Sequence, residues 1–127
     1  MKEKKAFTLL EILIVVIIIS ILVSMSLVSY AARKKKSEYD GAKAIVNLIA
    51  GAEKNFFMTT GAYQDTTSTG DTNAKLSISI VDGYFHNYRV STSFSPFVVL
   101  VDAGNCAYTF DSNGTRTGTN GGSDCLP

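Results

Sequence analysis

The chain has 127 residues, 46% of them hydrophobic, with 12 Lys and Arg against 11 Asp and Glu and a formal net charge of +1. That length allows one small domain and excludes a large multi-domain enzyme, and the balanced charge carries no global nucleic-acid signature. The averages conceal a division: residues 12–32 carry no charge, whereas 37–127 have the composition of a water-soluble domain, with five Lys/Arg (Lys43, Lys54, Lys75, Arg89, Arg116) against nine Asp/Glu. A soluble part of roughly 90 residues has a small core that needs reinforcement.

The chain opens Met1-Lys2-Glu3-Lys4-Lys5-Ala6, a short basic leader, and runs apolar from Phe7. The 21 uncharged residues 12–32 make about 31 Å of helix at ~1.5 Å per residue, enough to cross a hydrocarbon core of ~30 Å. Isoleucine and valine dominate, which in water favours a strand. In lipid the segment must satisfy its own backbone hydrogen bonds, which enforces helix. Three readings stay open at this point: a cleaved secretory signal, a permanent anchor, or something more specialised. Ser29-Tyr30-Ala31 is a small-x-small cleavage pattern, but the apolar run exceeds the ~7–15 residues usual in a signal core. Glu11 separates the other two. A carboxylate at the centre of a membrane helix costs roughly 2.5–3.5 kcal/mol, so Glu11 either lies shallow enough to reach headgroups or meets a charged partner from another molecule.

Lys5-Ala6-Phe7-Thr8-Leu9-Leu10-Glu11, followed by a long Ile/Val/Leu helix, resembles the class III leader of type IV pilins and type II secretion pseudopilins. The resemblance implies that a prepilin peptidase cuts between Ala6 and Phe7 and N-methylates Phe7. Glu11 falls on the fifth position of the mature chain, where the family places the glutamate that serves subunit assembly by pairing with the N-terminal ammonium of a neighbouring Phe7. The implied organisation is a leader peptide at 1–6, a transmembrane and polymerisation helix at 7–36, and a globular domain at 37–127. Ala6 stands where the family usually has Gly. Ser20 and Val28 stand where a helix-breaking Gly and Pro often occur, so a continuous helix is expected. Charge alone opposes the family topology. Lys2, Lys4 and Lys5 precede the span, but Arg33-Lys34-Lys35-Lys36 follow it, and the positive-inside rule would keep that second cluster in the cytoplasm. Beside an apolar span the cluster is better placed against headgroups than against nucleic acid.

Residues 37–60 continue as an amphipathic helix, with Ala42, Ile45, Ile49, Ala52 and Phe56 on one stripe. Gly41 and Gly51 each weaken it by about 1 kcal/mol, and Gly61 is a natural stop. Residues 7–60 would then form one helix of about 80 Å. Residues 63–74, rich in Thr, Ser, Gly and Asp, read as a loop. Leu76, Ile78 and Ile80 alternate with Ser77 and Ser79 as in a strand, and 84–93, 97–101 and 106–110 are further strand candidates. Asp111-Ser112-Asn113-Gly114 makes a turn that returns through 115–117. The expected fold is α+β and pilin-like: a long N-terminal helix packed on a small three- to four-stranded antiparallel sheet.

Cys106 and Cys125 are the only cysteines, with no CxxC spacing and no accompanying ligand cluster to suggest zinc. They are either free thiols or a bridge worth roughly 3 kcal/mol in the chain-entropy model. The resemblance favours the bridge, since many pilins close a C-terminal loop this way, and a bridge implies a domain outside the cytoplasm. His86, the single histidine, reads as a partly exposed strand residue. Asp111 and Asp124 are the residues a C-terminal calcium loop of the pseudopilin kind would use, but the glycine is displaced and no terminal glutamate follows, so a hairpin turn is the preferred reading. Asn113-Gly114-Thr115 matches a glycosylation sequon and is taken as chance. No nucleophile, phosphate-loop or metal motif appears; no catalysis and no cofactor are expected.

The functional expectation is a structural subunit of a type IV pilus or a type II secretion pseudopilus. The alternative is a single-pass membrane-anchored or secreted extracytoplasmic binding domain. The resemblance implies a homo-oligomeric or mixed filament with other pilins, a prepilin peptidase, an inner-membrane assembly platform with its motor ATPase, and membrane lipid before assembly. Localisation would pass from the inner membrane to a cell-surface pilus or a periplasmic pseudopilus.

Overall fold

The computed structural model describes residues 7–94, 96–121 and 125. The chain divides into two compact units, Met1–Ser37 and Glu38–Pro127. The first helix, α1 (Leu9–Thr60), begins in one and ends in the other. It runs unbroken through Gly41 and Gly51, and Gly61 closes it with φ +79 and its N–H donated to Phe57 O.

In the first unit the described residues of α1 are all exposed, with the window of highest mean hydropathy (3.0) wholly unburied. It is long and apolar enough to cross a membrane. Two of its serine hydroxyls bond within the helix: Ser20 Oγ donates to Val16 O and Ser24 Oγ to Ser20 O, each at 2.7 Å. Hydroxyls bonded this way remove the polar cost that lipid would otherwise impose.

In the second unit the remainder of α1 lays Ala42, Val46, Ile49 and Ala50 into a core shared with the sheet. The stripe is turned from the expected one: Ala42 and Ile49 are buried as anticipated, Ile45, Ala52 and Phe56 only partly, and Val46, Ala50 and Glu53 fully. The four strands are β1 (His86–Ser91), β2 (Val98–Ala103), β3 (Cys106–Asp111) and β4 (Arg116–Asn120), antiparallel in the order β1-β2-β3-β4. Alternation sends Tyr88, Val90, Val99, Val101, Tyr108 and Phe110 into the core. Tyr39 on α1 sits 6.2–6.3 Å from the rings of Phe85, Tyr108 and Phe110. The long helix and four-stranded antiparallel sheet make the α+β, pilin-like arrangement expected from the sequence.

Two local expectations are corrected. The segment expected to be a loop at 63–74 contains a second helix, α2 (Thr69–Leu76). Its composition hides it, but Ser68 caps it by accepting from Asp71 N, and Lys75 pairs with Asp71 at 3.0 Å one turn away. The expected strand through Leu76, Ile78 and Ile80 is absent. Leu76 ends α2, Ser77 turns left-handed at φ 53, and Asn73 takes the place of a strand partner for Ile80. Its Nδ2 donates to Ile80 O and its Oδ1 accepts from Ile80 N, both at 2.8 Å.

The same region covers the outer edge of β1. Thr66 N donates to Val90 O, Thr66 Oγ1 accepts from Val90 N, Thr69 Oγ1 accepts from Tyr88 N, and Thr72 Oγ1 donates to Tyr88 O. Threonine hydroxyls thus complete the ladder where a fifth strand would lie, so this edge cannot template another chain.

Candidate functional site

The N-terminal segment begins with Phe7, 74% exposed. Ala6, on the other side of the expected cut, lies outside the described residues. Thr8 precedes the first turn of α1: its Oγ1 accepts from Glu11 N at 3.3 Å, and its carbonyl accepts from Glu11 N and Ile12 N. Thr8-Leu9-Leu10-Glu11 therefore has the form of a capping box, a threonine followed three residues later by glutamate. The reading of the leader did not register this local role. Glu11 stands in the first turn, exposed, where a carboxylate also complements the positive end of the helix. Phe7 and Glu11 are thus presented on a helix start with no covering residue from the described chain.

Cys106 and Cys125 form a disulfide, with Cα atoms 5.7 Å apart across a sequence separation of 19. Gly121 lies against it. A Cβ there would meet Cys125 Sγ at 2.6 Å and Asn105 O at 2.7 Å, so glycine is required for the tail to pass.

Asp111 builds the β3–β4 turn with its own carboxylate. Oδ1 accepts from Asn113 N at 2.9 Å and from Thr115 N at 2.8 Å. This is an Asx-type turn, which accounts for the residue without a cation. Asp124, the other calcium candidate, lies outside the described residues. Among the described residues no group of three or more His, Cys, Asp and Glu is placed to hold a metal. In the same turn Gly114, at φ +76, receives the side chain of Asn47 from α1 in the space a Cβ would take.

His86 is half-buried in β1, with Nδ1 at 2.7 Å from Asp102 O. On the same part of the sheet Asp102 accepts from Asn87 Nδ2 at 2.6 Å and from Arg89 at 3.0 Å. These groups hold the β1–β2 bulge together and present no nucleophile with a base.

Glu53 is the residue the sequence reading missed. It is fully buried on α1, with Oε2 accepting from Gln64 N at 3.0 Å and Oε1 without a hydrogen-bond partner among the described residues. Desolvation pushes its pKa above the usual carboxylate value; the Gln64 bond opposes this and the charge of Asp65 adds to it. The one available signal was its spacing, since Val46, Ile49, Ala50 and Glu53 share a helical face. The open groove of about 680 Å³ beside this part of α1, lined by residues including Asn47, Phe56 and Lys75, contains no carboxylate, histidine or cysteine.

An exposed, capped helix start, a membrane-length apolar helix, and a helix-and-sheet unit closed by a disulfide fit a type IV pilin-like protein. Residues 1–27 match the family described as the prokaryotic N-terminal methylation motif, the class III prepilin leader of type IV pilins and pseudopilins. This motif points to a structural, non-enzymatic kind of protein, whose leader is processed by a prepilin peptidase and whose subunits assemble into filaments. No curated protein and no solved structure matches the chain.

Proposed function

We propose that this chain is a structural subunit of a type IV pilus or of a type II secretion pseudopilus. The observation that carries the reading is the ordered conjunction at the N-terminus: basic leader, Phe7, Thr8-Leu9-Leu10-Glu11, then an apolar helix with nothing covering it. In this reading residues 1–6 are a leader, 7–36 insert as a single span in the inner membrane, and 37–127 fold outside the cytoplasm. A prepilin peptidase cuts between Ala6 and Phe7 and methylates the new amino terminus. An assembly platform with a motor ATPase then moves subunits from lipid into a homo-oligomeric or mixed polymer, whose final location is the cell surface or the periplasm.

In the polymer the apolar helices exchange lipid contact for contact with one another, where close packing supplies the attraction. Glu11 then lies in an apolar core, where an unpaired carboxylate is costly. The Phe7 ammonium of a neighbouring subunit offsets that cost and fixes the axial register. The disulfide between Cys106 and Cys125 supports an oxidising compartment for the second unit.

Intact mass and N-terminal sequencing of the protein from its own membranes test the reading. The expected product starts at methylated Phe7 and is lighter by two hydrogens than its reduced form. A chain still starting at Met1 would make it a membrane-anchored domain, and one starting near Ala32 a secreted one.

A further inference from the structure

Arg33, Lys34, Lys35 and Lys36 follow the apolar stretch of α1 without a spacer, and all four side chains are exposed. At about 3.6 residues per turn, four consecutive positions ring the helix instead of forming one face. None of them makes an ion pair with a described residue; the ion pairs found there are Lys75–Asp71 and Arg89–Asp102. Among the described residues the cluster therefore has no ion-pair partner. On the outer side of a membrane it also opposes the charge bias that favours insertion.

We propose that these four residues form a collar that docks on anionic phospholipid headgroups and fixes the depth of the inserted subunit before assembly. The inference rests on the membrane-inserted precursor of the reading above and not on polymerisation. Glu11 and Arg33 are 22 positions apart on the same helix and in the same compact unit, about 33 Å at ~1.5 Å per residue. That matches a hydrocarbon core of ~30 Å. With the collar in one phosphate layer, Glu11 falls at the opposite boundary, and no charge lies between them. Sliding the helix by one turn, about 5.4 Å, would drag either Glu11 or Arg33 into hydrocarbon. One depth therefore satisfies both ends.

The competing occupant is the acidic second unit of another copy. Its described carboxylates are mostly committed: Asp71 and Asp102 to ion pairs, and Glu53, Asp65, Asp82 and Asp111 to hydrogen bonds within the unit. Of the described carboxylates, Glu38 and Asp40 remain to meet four cations. A surface of anionic phosphates supplies the missing charge at the level where the helix leaves the hydrocarbon.

The test uses the full-length chain in phosphatidylcholine vesicles containing a minority of phosphatidylglycerol, with spin-labelled forms of both lipids competing for the protein's lipid shell. Wild type should prefer phosphatidylglycerol by about fivefold, the ratio equivalent to ~1 kcal/mol for a basic residue near the surface. The preference should fall to about one in the Arg33→Gln, Lys34→Gln, Lys35→Gln, Lys36→Gln variant. It should also fall in wild type at about 1 M salt, where screening acts within ~3 Å; this arm needs no variant. A variant with Lys34→Arg, Lys35→Arg and Lys36→Arg should keep it. Equal association of the two lipids with wild type, or a preference that survives fourfold substitution or salt, overturns the collar. Salt-sensitive dimers in place of lipid selectivity would assign the cluster to a second copy and overturn it too. Flotation separates the levels: wild type that does not float with the vesicles overturns the membrane reading together with the collar. Wild type that floats without selectivity overturns the collar alone.

Discussion

Glu53 concentrates the conflict between burial and charge at a single residue. One oxygen is held by Gln64 N and the other has no partner among the described residues, so the ionised form is poorly solvated. Its folded pKa is raised, so its contribution to stability is fully present below the ordinary value of 4.5 and is lost as pH rises through the folded value. Asp65 and Asp71 act in the opposite sense. Thr92 N and Oγ1 lower the first, and Lys75 and Thr67 N lower the second, so their contributions are present above 3.8 and are lost as pH falls. Glu53→Gln should therefore remove the loss that sets in as pH rises above 4.5 while leaving the acid limb intact. Thermal unfolding of the full chain in detergent across this range checks it; an unchanged pH profile would exclude Glu53 as the titrating group. Glu11 is the other residue whose environment decides its cost. Glu11→Ala should insert and be cut after Ala6, yet form filaments at least about tenfold less well, the equivalent of ~1.4 kcal/mol at each subunit contact. Filament yield measured beside N-terminal sequencing separates assembly from processing, and normal yield would refute the pairing with Phe7.

At the scale of elements, the edge of β1 and the β3–β4 turn show how polar side chains set the arrangement. Thr69 Oγ1 accepts from Tyr88 N and donates to Asp82 Oδ1 at 2.7 Å, joining α2, the following loop and β1. Thr69→Val keeps the shape and leaves Tyr88 N without its acceptor, a loss of roughly 1–3 kcal/mol. Faster hydrogen exchange at Tyr88 N with a lowered melting temperature is the expected result. Gly114 tests the contact between α1 and the hairpin. Gly114→Ala places a Cβ where the Asn47 side chain lies and holds alanine at φ +76, which costs roughly 1–2 kcal/mol from the backbone alone. Adding Asn47→Ala should restore the part due to collision and leave the part due to φ, as read by a double-mutant cycle of melting temperatures.

Across the whole molecule, the two units are stabilised by different means. The first has no core among its described residues, and in the proposed reading lipid or filament packing would bury its apolar surface. The second has its own core and a disulfide near its C-terminal end. Replacing Cys106 and Cys125 together with Ser should lower stability by roughly 3 kcal/mol. Chemical denaturation of the full chain measures this, and hydrogen exchange should localise the loosening to β4 and the start of β3.

Much of this organisation is written in local pattern. An uncharged run of membrane length, a basic stretch before Phe7 and alternation through β1, β2 and β3 depend only on neighbours in sequence, so the long apolar helix, the leader motif and the sheet were legible from the residues alone. The turn at Asp111 was legible for the same reason, since its carboxylate bonds within four residues. What only the tertiary structure decided lies where polar side chains bond across distance. Leu76, Ile78 and Ile80 alternate like a strand, but Ile80 is held by Asn73 from inside α2. Threonines that read as loop composition become the border of β1 once Val90 and Tyr88 are brought beside them. Glu53 reads as one more charged residue of an amphipathic helix until the chain folds back to place Gln64 over it. Hydrophobic periodicity is a property of one segment, whereas a hydrogen bond to a remote backbone group exists only after the fold has chosen both partners.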